Sequence, residues 1–177
     1  RWKKGDDNSP PLLSSIVVTD YEEVRIADGG QPLFTDVAAA VFREAPAYRE
    51  QLAYGIDYWR SRVENYFGLY FDGLHGIAVA DVNGDGLDDI YVCEPGGLPN
   101  RLFLQTAEGR VVDASAESGV NFLDPTRSAL LIDLDNDRDQ DLVLPIKGRV
   151  NFFANDGQGR FTSRTEIPVD GQTAYSL

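Results

Sequence analysis

Residues on which many active sites and covalent cross-links depend are scarce in this sequence. Among 177 residues there are one cysteine, Cys93, and one histidine, His75. A single cysteine cannot close a disulfide within the chain, and burial as a small side chain is its ordinary role. Any Ser-His-Asp or Cys-His catalytic arrangement would have to use His75, and no activating motif surrounds Cys93. Since the glycine fingerprints of phosphate-binding and dinucleotide-binding loops are absent as well, we expect no catalytic residues in this chain.

Basic residues and long apolar runs are also few. Sixteen Lys and Arg stand against 29 Asp and Glu, which gives a formal net charge of −13 at pH 7. A chain this acidic is poorly suited to nucleic-acid phosphates and to anionic membrane surfaces. No apolar run approaches the roughly 20 residues that span a bilayer. We therefore expect neither nucleic acid nor a membrane span.

An acidic pattern of nine residues occurs twice and is the most informative feature of the chain. The copies are DVNGDGLDD at 81–89 and DLDNDRDQD at 133–141. Side-chain oxygens stand at positions 1, 3, 5 and 9 of both copies, and a short apolar run flanks each copy on both sides. With the backbone carbonyl at position 7, the predicted metal ligands are Asp81, Asn83, Asp85, Leu87, Asp89, Asp133, Asp135, Asp137, Asp139 and Asp141.

Oxygen atoms at this spacing favour a hard divalent cation, and Ca²⁺ takes about six to eight such ligands. Two carboxylates about 4 Å apart repel each other by roughly 4 kcal/mol at an effective dielectric constant near 20. A bound dication removes that repulsion. We expect about two Ca²⁺ per chain by this ligand count.

Two other interpretations explain the loops less well. An EF-hand requires a bidentate Glu at position 12 of a helix-flanked loop, but the two copies have Val92 and Leu144 there. A solvated acidic turn explains one copy, since Asp, Asn and Gly are ordinary turn residues. It does not explain the odd-numbered register that both copies share.

Position 6 distinguishes the two loops, because it is Gly86 in the first and Arg138 in the second. If this position requires a positive φ, an arginine there has a steric cost of about 1–2 kcal/mol. We expect the first loop to be the better site.

The loops belong to a longer internal repeat. They begin 52 residues apart, and the segment at 102–111 aligns with that at 152–161 at an offset of 50. Each unit predicts a strand, the acidic loop, a second strand, a connection, a third strand, a turn with glycine and a fourth strand. Four short strands in about 50 residues is the size of a propeller blade. Residues 33–37 are similar to the last strand of a unit and predict a degenerate further copy.

Together with NRLFL at 100–104 and NDGQGRF at 155–161, the loops resemble the FG-GAP/VCBS repeat family. That family includes integrin-α-like propellers and bacterial proteins that pair such repeats with an ASPIC/UnbV-type domain. The resemblance covers residues 72–168, and it implies calcium-loaded β-propellers on secreted or surface proteins. The family's metal positions carry over onto the two loops. Arg138 and the segment 105–108 depart from the family pattern.

The predicted fold is mainly β: two to three blades of an incomplete β-propeller, with four short antiparallel strands per blade. A propeller has about four to eight blades, so we expect the remaining blades from the same polypeptide or another chain. The predicted segments are a linker or frayed terminus at 1–11, N-terminal strands with a degenerate partial blade and a helical aromatic insertion at 12–71, the first calcium-loop blade at 72–121, and the second with the start of the next at 122–177.

The predicted helical insertion spans 47–67, where apolar side chains recur at spacings of three and four residues. Gly55 is expected to divide it into two short helices. The dense aromatic side chains from Tyr48 to Phe71 suggest either a surface that stacks on sugars or docks a partner, or a small core that covers a blade edge. Strands are also predicted at 12–18 and 21–26.

Two functions from different classes stay open. The first is a binding or interaction module for a protein or a glycan, in which calcium is structural. The second is the non-catalytic portion of a larger secreted carbohydrate-active propeller enzyme. Weak loops of this kind need Ca²⁺ at about millimolar concentration, which is typical outside the cytosol, so we expect an extracellular or periplasmic location.

Overall fold

The computed structural model describes residues 2–3, 12–13, 15–19, 34–63, 75–146 and 148–169. The chain divides into two compact units, 1–35 and 36–177. In the first unit, β1 (Trp2–Lys3) pairs antiparallel with β2 (Leu12–Leu13). The predicted linker at 1–11 therefore contains a short strand. The strand predicted at 12–18 is limited to β2, because residues 15–19 are exposed and pair with no described strand. The strand predicted at 21–26 lies outside the described residues.

The second unit contains two four-stranded antiparallel sheets, each built from strands that are consecutive in the chain. The first sheet is β3 (Ile77–Ala80), β4 (Asp89–Val92), β5 (Arg101–Gln105) and β6 (Val111–Asp113). The second sheet is β7 (Leu130–Ile132), β8 (Asp141–Ile146), β9 (Arg149–Asn155) and β10 (Phe161–Pro168). The predicted mainly β fold with four short strands per unit is confirmed at this level.

Strand register shows that the two sheets are copies of one unit. Ile90 lies opposite Phe103 in the first sheet, and Leu142 lies opposite Phe153 in the second. The offsets between equivalent residues are 52 in the second strand and 50 in the third, as in the sequence repeat. The acidic loop joins the first two strands of both sheets.

One apolar core lies between the sheets. Tyr91, Cys93 and Leu102 from the first sheet and its β4–β5 connection join Leu142 and Leu144 from the second, and all five are fully buried. The burial of Cys93 agrees with the prediction, and it raises the pKa of the thiol to about 12, with the nearby Glu94 carboxylate adding to the effect. A reactive thiolate is therefore not formed near neutral pH.

Gly76, just before β3, lies close to the backbone that leads into β7. A Cβ atom there would be 2.7 Å from the Arg127 carbonyl oxygen. β3 also contacts β7. Only a residue without a side chain permits this spacing, because a real Cβ requires more than about 3 Å from a backbone atom.

A helical segment covers the other face of the first sheet. It consists of α1 (Ala38–Val41), a π-helical turn (Tyr48–Leu52) and α2 (Ile56–Arg60). Ala45 and Ala47 pack against Phe103 and Val111, and Phe42 meets Phe103 edge to face at 5.0 Å. No described helix combines the length and the apolar character needed to cross a membrane.

The helical insertion is confirmed where the structure describes it, although it begins at Ala38 and its predicted end at 64–67 lies outside the described residues. Gly55 separates the π-helical turn from α2, as predicted. The strand predicted at 33–37 is wrong over the described residues 34–37, which form no strand. Phe34 is 90% exposed, and Asp36 instead accepts a 2.9 Å hydrogen bond from the Ala38 amide at the start of α1.

Candidate cation-binding loops

The first acidic loop is organised by the carboxylate of Asp81, which directly follows β3. Its two oxygens accept hydrogen bonds from the amides of Gly84 (2.8 Å), Asp85 (3.2 Å) and Gly86 (2.8 Å). Both glycines have positive φ, 73° and 85°. The side chain at position 1 therefore sets a tight turn that directs the following oxygens toward one region.

The second loop has the same backbone. Asp133 accepts hydrogen bonds from the amides of Asn136 at 2.7 Å and Arg138 at 3.1 Å. These residues have positive φ, 64° and 82°, where the first loop has glycines. Position 6 does require the left-handed region, so the steric cost predicted for Arg138 applies in the folded chain.

In both loops the carboxylate at position 5 accepts a hydrogen bond from the backbone amide at position 7. The Leu87 amide donates to Asp85 Oδ1 at 2.9 Å, and the Asp139 amide donates to Asp137 Oδ1 at 3.0 Å. In the first loop, Asn83 also donates to Asp85 Oδ2 at 3.1 Å. Leu87 and Asp139, whose backbone carbonyls are the predicted ligands at position 7, are therefore held in the same way in the two loops.

Position 9 joins each loop to its sheet. Asp89 is buried, and its carboxylate accepts from the Val82 amide at 3.0 Å and the Gln105 amide at 2.8 Å. Asp141 is buried too, and it accepts from the amides of Leu134 at 3.1 Å and Asn155 at 2.9 Å. Each carboxylate therefore links the start of its loop to the end of the third strand, a role that ligand spacing alone does not indicate.

Burial raises the pKa of Asp89, and its backbone hydrogen bonds oppose that effect. The charges of Asp85 and Asp81 raise it further. The pKa of Asp139 is also raised, by desolvation first and then by the carboxylates of Asp137 and Asp133. Both loops therefore concentrate negative charge that a cation would offset.

Asp133, Asp135 and Asp137 form the clearest candidate metal centre among the described residues. One carboxylate oxygen from each lies within 4.8 Å of the others. Ligand oxygens around one Ca²⁺ lie about 2.3–2.6 Å from the ion, so they can be separated by up to about 5 Å across it. The donor set is all oxygen, as a hard cation requires. The residues present therefore fit Ca²⁺.

Arg164 is a charged partner of the second loop that the sequence pattern does not indicate. The pairing of β10 with β9 shifts register between Ser163 and Thr165, and at this irregularity Arg164 Nη1 lies 2.6 Å from Asp135 Oδ2. Bulges often redirect a side chain in this way. The hydrogen bond from Arg164, with its positive charge, lowers the pKa of Asp135.

The two loops lie beside each other at one edge of the sheets. A cavity of about 410 Å³ is lined by residues of both, including Asp81 and Asp88 from the first and Arg138 and Asp139 from the second. The repeat therefore brings the two predicted sites together.

Residues 81–144 match the family model of the FG-GAP-like repeat. This part of the chain is an FG-GAP-like repeat. The match begins at the first residue of the first loop and ends within β8, so the FG-GAP-like repeat includes both acidic loops. The resemblance predicted from the loops is thereby confirmed. No curated protein matches the chain.

The aromatic residues beside the FG-GAP-like repeat both cover the first sheet and leave a groove. Tyr48 stacks on Phe42 at 5.2 Å, whereas Tyr54 is 42% exposed and stacks on Tyr58 at 3.9 Å. A cavity of about 630 Å³ lies between the helical segment and β3–β4 and is mostly apolar, with Trp59 in its lining. Tyr48 thus belongs to the small core that covers the first sheet, as one of the two interpretations predicts, whereas Tyr54 lies on an exposed surface.

Proposed function

We propose that this chain is a calcium-binding segment of an FG-GAP/VCBS-type β-propeller that serves as an interaction module for a protein or a glycan. The observation that carries the proposal is the equivalence of the two loops. In each loop the carboxylate at position 1 accepts hydrogen bonds from the backbone amides of the turn. The carboxylate at position 9 accepts hydrogen bonds that link the loop to the third strand. Calcium at these positions is structural, since it would neutralise carboxylates that fix the strand connections.

The arrangement of the sheets supports an assignment of the two units as neighbouring blades. Each sheet follows the chain order of its strands, and the first strands β3 and β7 contact each other. Propeller blades are four-stranded sheets arranged radially around a central channel, and the contact between β3 and β7 suits first strands that lie innermost. In this assignment the acidic loops lie on one face of the propeller, where each joins the innermost strand to the second.

Exposed apolar side chains support further blades as partners, from the same polypeptide or another chain. Leu130 and Ile132 on β7 are 42% and 40% exposed. A row of apolar residues on a strand usually marks a surface that another element covers. An extracellular or periplasmic location suits loops that need Ca²⁺ at about millimolar concentration.

We also propose that these residues carry out no catalysis. The thiol of Cys93 is fully buried, and His75 lies 3.9 Å from Glu94 without a nucleophile among its described contacts. If the full protein is a carbohydrate-active enzyme, its chemistry belongs to residues beyond this chain.

Calorimetry and thermal unfolding test the calcium assignment. Titration with CaCl₂ should show about two sites per chain by the ligand count, and EDTA should lower the melting temperature because a ligand of the folded state stabilises it. Asp85→Ala and Asp137→Ala should each remove one site, while Asp57→Ala, at an exposed position in α2, should remove none. No binding at millimolar Ca²⁺ would overturn the proposal.

A further inference from the structure

Asn155, the last residue of β9, lies between the two acidic loops and bonds to both. Its Nδ2 group donates to the carbonyl oxygen of Val82 at 2.8 Å and to that of Gln140 at 3.0 Å. Val82 is position 2 of the first loop, and Gln140 is position 8 of the second. The side chain is only 7% exposed, so neither bond is readily exchanged for one to water.

The remaining polar groups of Asn155 are also engaged. The backbone amide of Asn155 donates to Asp141 Oδ1 at 2.9 Å, and the side-chain Oδ1 of Asn155 accepts from the Gly159 backbone amide at 3.1 Å. A side-chain amide has two N–H donors and one carbonyl acceptor. All three are used here, which fixes the orientation of the side chain.

These bonds continue into the position 9 carboxylates. Val82 is held on both sides, since its amide donates to Asp89 and its carbonyl accepts from Asn155. Asp141 is held by Asn155 and by the Leu134 amide of its own loop. An unbroken path of hydrogen bonds therefore runs from the first loop to the second through one side chain.

We propose that Asn155 is a positioning residue that couples the two loops, so that a cation in one loop raises the affinity of the other. This inference rests on the proposed calcium binding. A cation that orders one loop fixes Val82 or Gln140, and with it Asn155 and the backbone of the neighbouring loop. The second cation then has less disorder to remove, which gives positive cooperativity without a large structural change.

Gln105 provides a matched control. It ends β5 as Asn155 ends β9, and its amide donates to Asp89 as that of Asn155 donates to Asp141. Among the described residues, its side chain makes no hydrogen bond to an acidic loop. Gln105→Ala therefore removes a side chain from the equivalent position and leaves the connection between loops intact.

The experiment compares calcium affinities with one loop disabled. Asp137→Ala disables the second loop, and calorimetry then measures the first loop alone. We expect that loop to bind about fivefold or more weakly than in the unmodified chain, the lower end of typical couplings between sites. In an Asn155→Ala background, disabling the second loop should change the affinity of the first by less than about twofold. Gln105→Ala should retain the full dependence.

A second readout does not depend on the affinity of the reporting loop. In Asp85→Ala, where the first loop no longer binds, NMR signals of the Val82 and Gly84 amides should still shift as Ca²⁺ fills the second loop. Asn155→Asp keeps the shape and the acceptor oxygen but cannot donate to either carbonyl, so it should abolish that shift. Circular dichroism in EDTA verifies that each variant is folded.

The outcomes separate this inference from the proposed function. An unmodified chain that binds no Ca²⁺ overturns the calcium assignment and the coupling with it. Two sites that bind while Asp137→Ala leaves the first loop within about twofold of its affinity overturn the coupling alone. Coupling that persists in both Asn155 variants shows that the path runs elsewhere and overturns the role of this residue.

Discussion

Gly157 lies so close to Asp139 that any side chain there would force the Asp139 carboxylate to move. A Cβ atom on Gly157 would be 2.6 Å from Asp139 Oδ2, and the residue has a φ of +73°. The turn after β9 thus contacts the second acidic loop directly, just beyond the bonds that Asn155 makes. A glycine in a turn is ordinary, but here the absence of a side chain also shapes a candidate metal centre.

Gly157→Ala should lower the free energy of unfolding by about 2–3 kcal/mol, because it adds left-handed strain and a clash with Asp139. Gly109→Ala is the matched control, since Gly109 has a φ of +71° and open space around its Cβ position. Gly109→Ala should lower the free energy of unfolding only by the backbone strain, about 1–2 kcal/mol. Urea unfolding in EDTA measures both changes. Equal losses would show that the Asp139 contact contributes nothing.

Arg138→Gly should raise the free energy of unfolding by about 1 kcal/mol, since Arg138 occupies a conformation that suits glycine. Arg138→Ala removes the same charge but keeps the Cβ atom and therefore the strain. The difference between the two variants, measured by urea unfolding in EDTA, isolates the backbone effect. If alanine stabilises as much as glycine, charge rather than φ is responsible.

Arg164→Ala should raise the calcium affinity of the second loop by about two- to fivefold, because the guanidinium competes with a cation for Asp135. The gain should shrink at high salt, which screens a half-exposed charge pair. Arg164→Lys keeps the charge and should give a smaller gain. Calorimetry on the Asp85→Ala background reports the second loop alone. An unchanged or weaker affinity would mean that Arg164 supports the site.

Glu94 should make the chain less stable as pH rises from about 4.5 to about 7. Burial raises its pKa from an ordinary 4.5 to about 7, while a hydrogen bond with Gln51 and the charge of Arg101 offset part of that rise. Because the folded chain binds this proton more tightly than the unfolded chain does, the contribution is present at acid pH and lost as the carboxyl ionises.

Glu94→Gln should therefore flatten the dependence of stability on pH and stabilise the chain at pH 8 by about 1–3 kcal/mol. Urea unfolding in EDTA at pH 5 and pH 8 measures this difference. Glu117→Gln, at an exposed position, should leave the pH dependence as it is. A Glu94→Gln variant with the pH slope of the unmodified chain would contradict the assignment.

Local sequence was sufficient to predict the strands on either side of both acidic loops and the loop register, because alternating apolar runs and the positive-φ positions are set within a few residues. Arg138 is an example: its backbone follows from its place in the nine-residue pattern. The bond between Asn155 and Val82 could not be predicted in this way, since it joins residues 73 apart in sequence.

The incorrect strand at 33–37 has a related cause. A strand needs a partner, and similarity to the last strand of a repeat unit says nothing about whether a neighbouring strand is present. Arg164 was missed because its contact with Asp135 depends on an irregular register in β10. Spacing also predicted Asp89 as a ligand without indicating that its carboxylate is buried between two backbone amides.

Gln51 attaches the helical segment to the first sheet through hydrogen bonds of its side chain. Its Nε2 donates to the Pro99 carbonyl at 2.8 Å, and its Oε1 accepts from the Arg101 guanidinium at 2.7 and 2.9 Å. A protein that approached the outer face of the first sheet would have to break these bonds before it reached Phe103. On the second sheet, Leu130 and Ile132 can be approached without that step. A partner can therefore reach the first sheet at Phe103 only after the helical segment is displaced, whereas Ile77 and Val79 on β3, 64% and 56% exposed, need no such displacement.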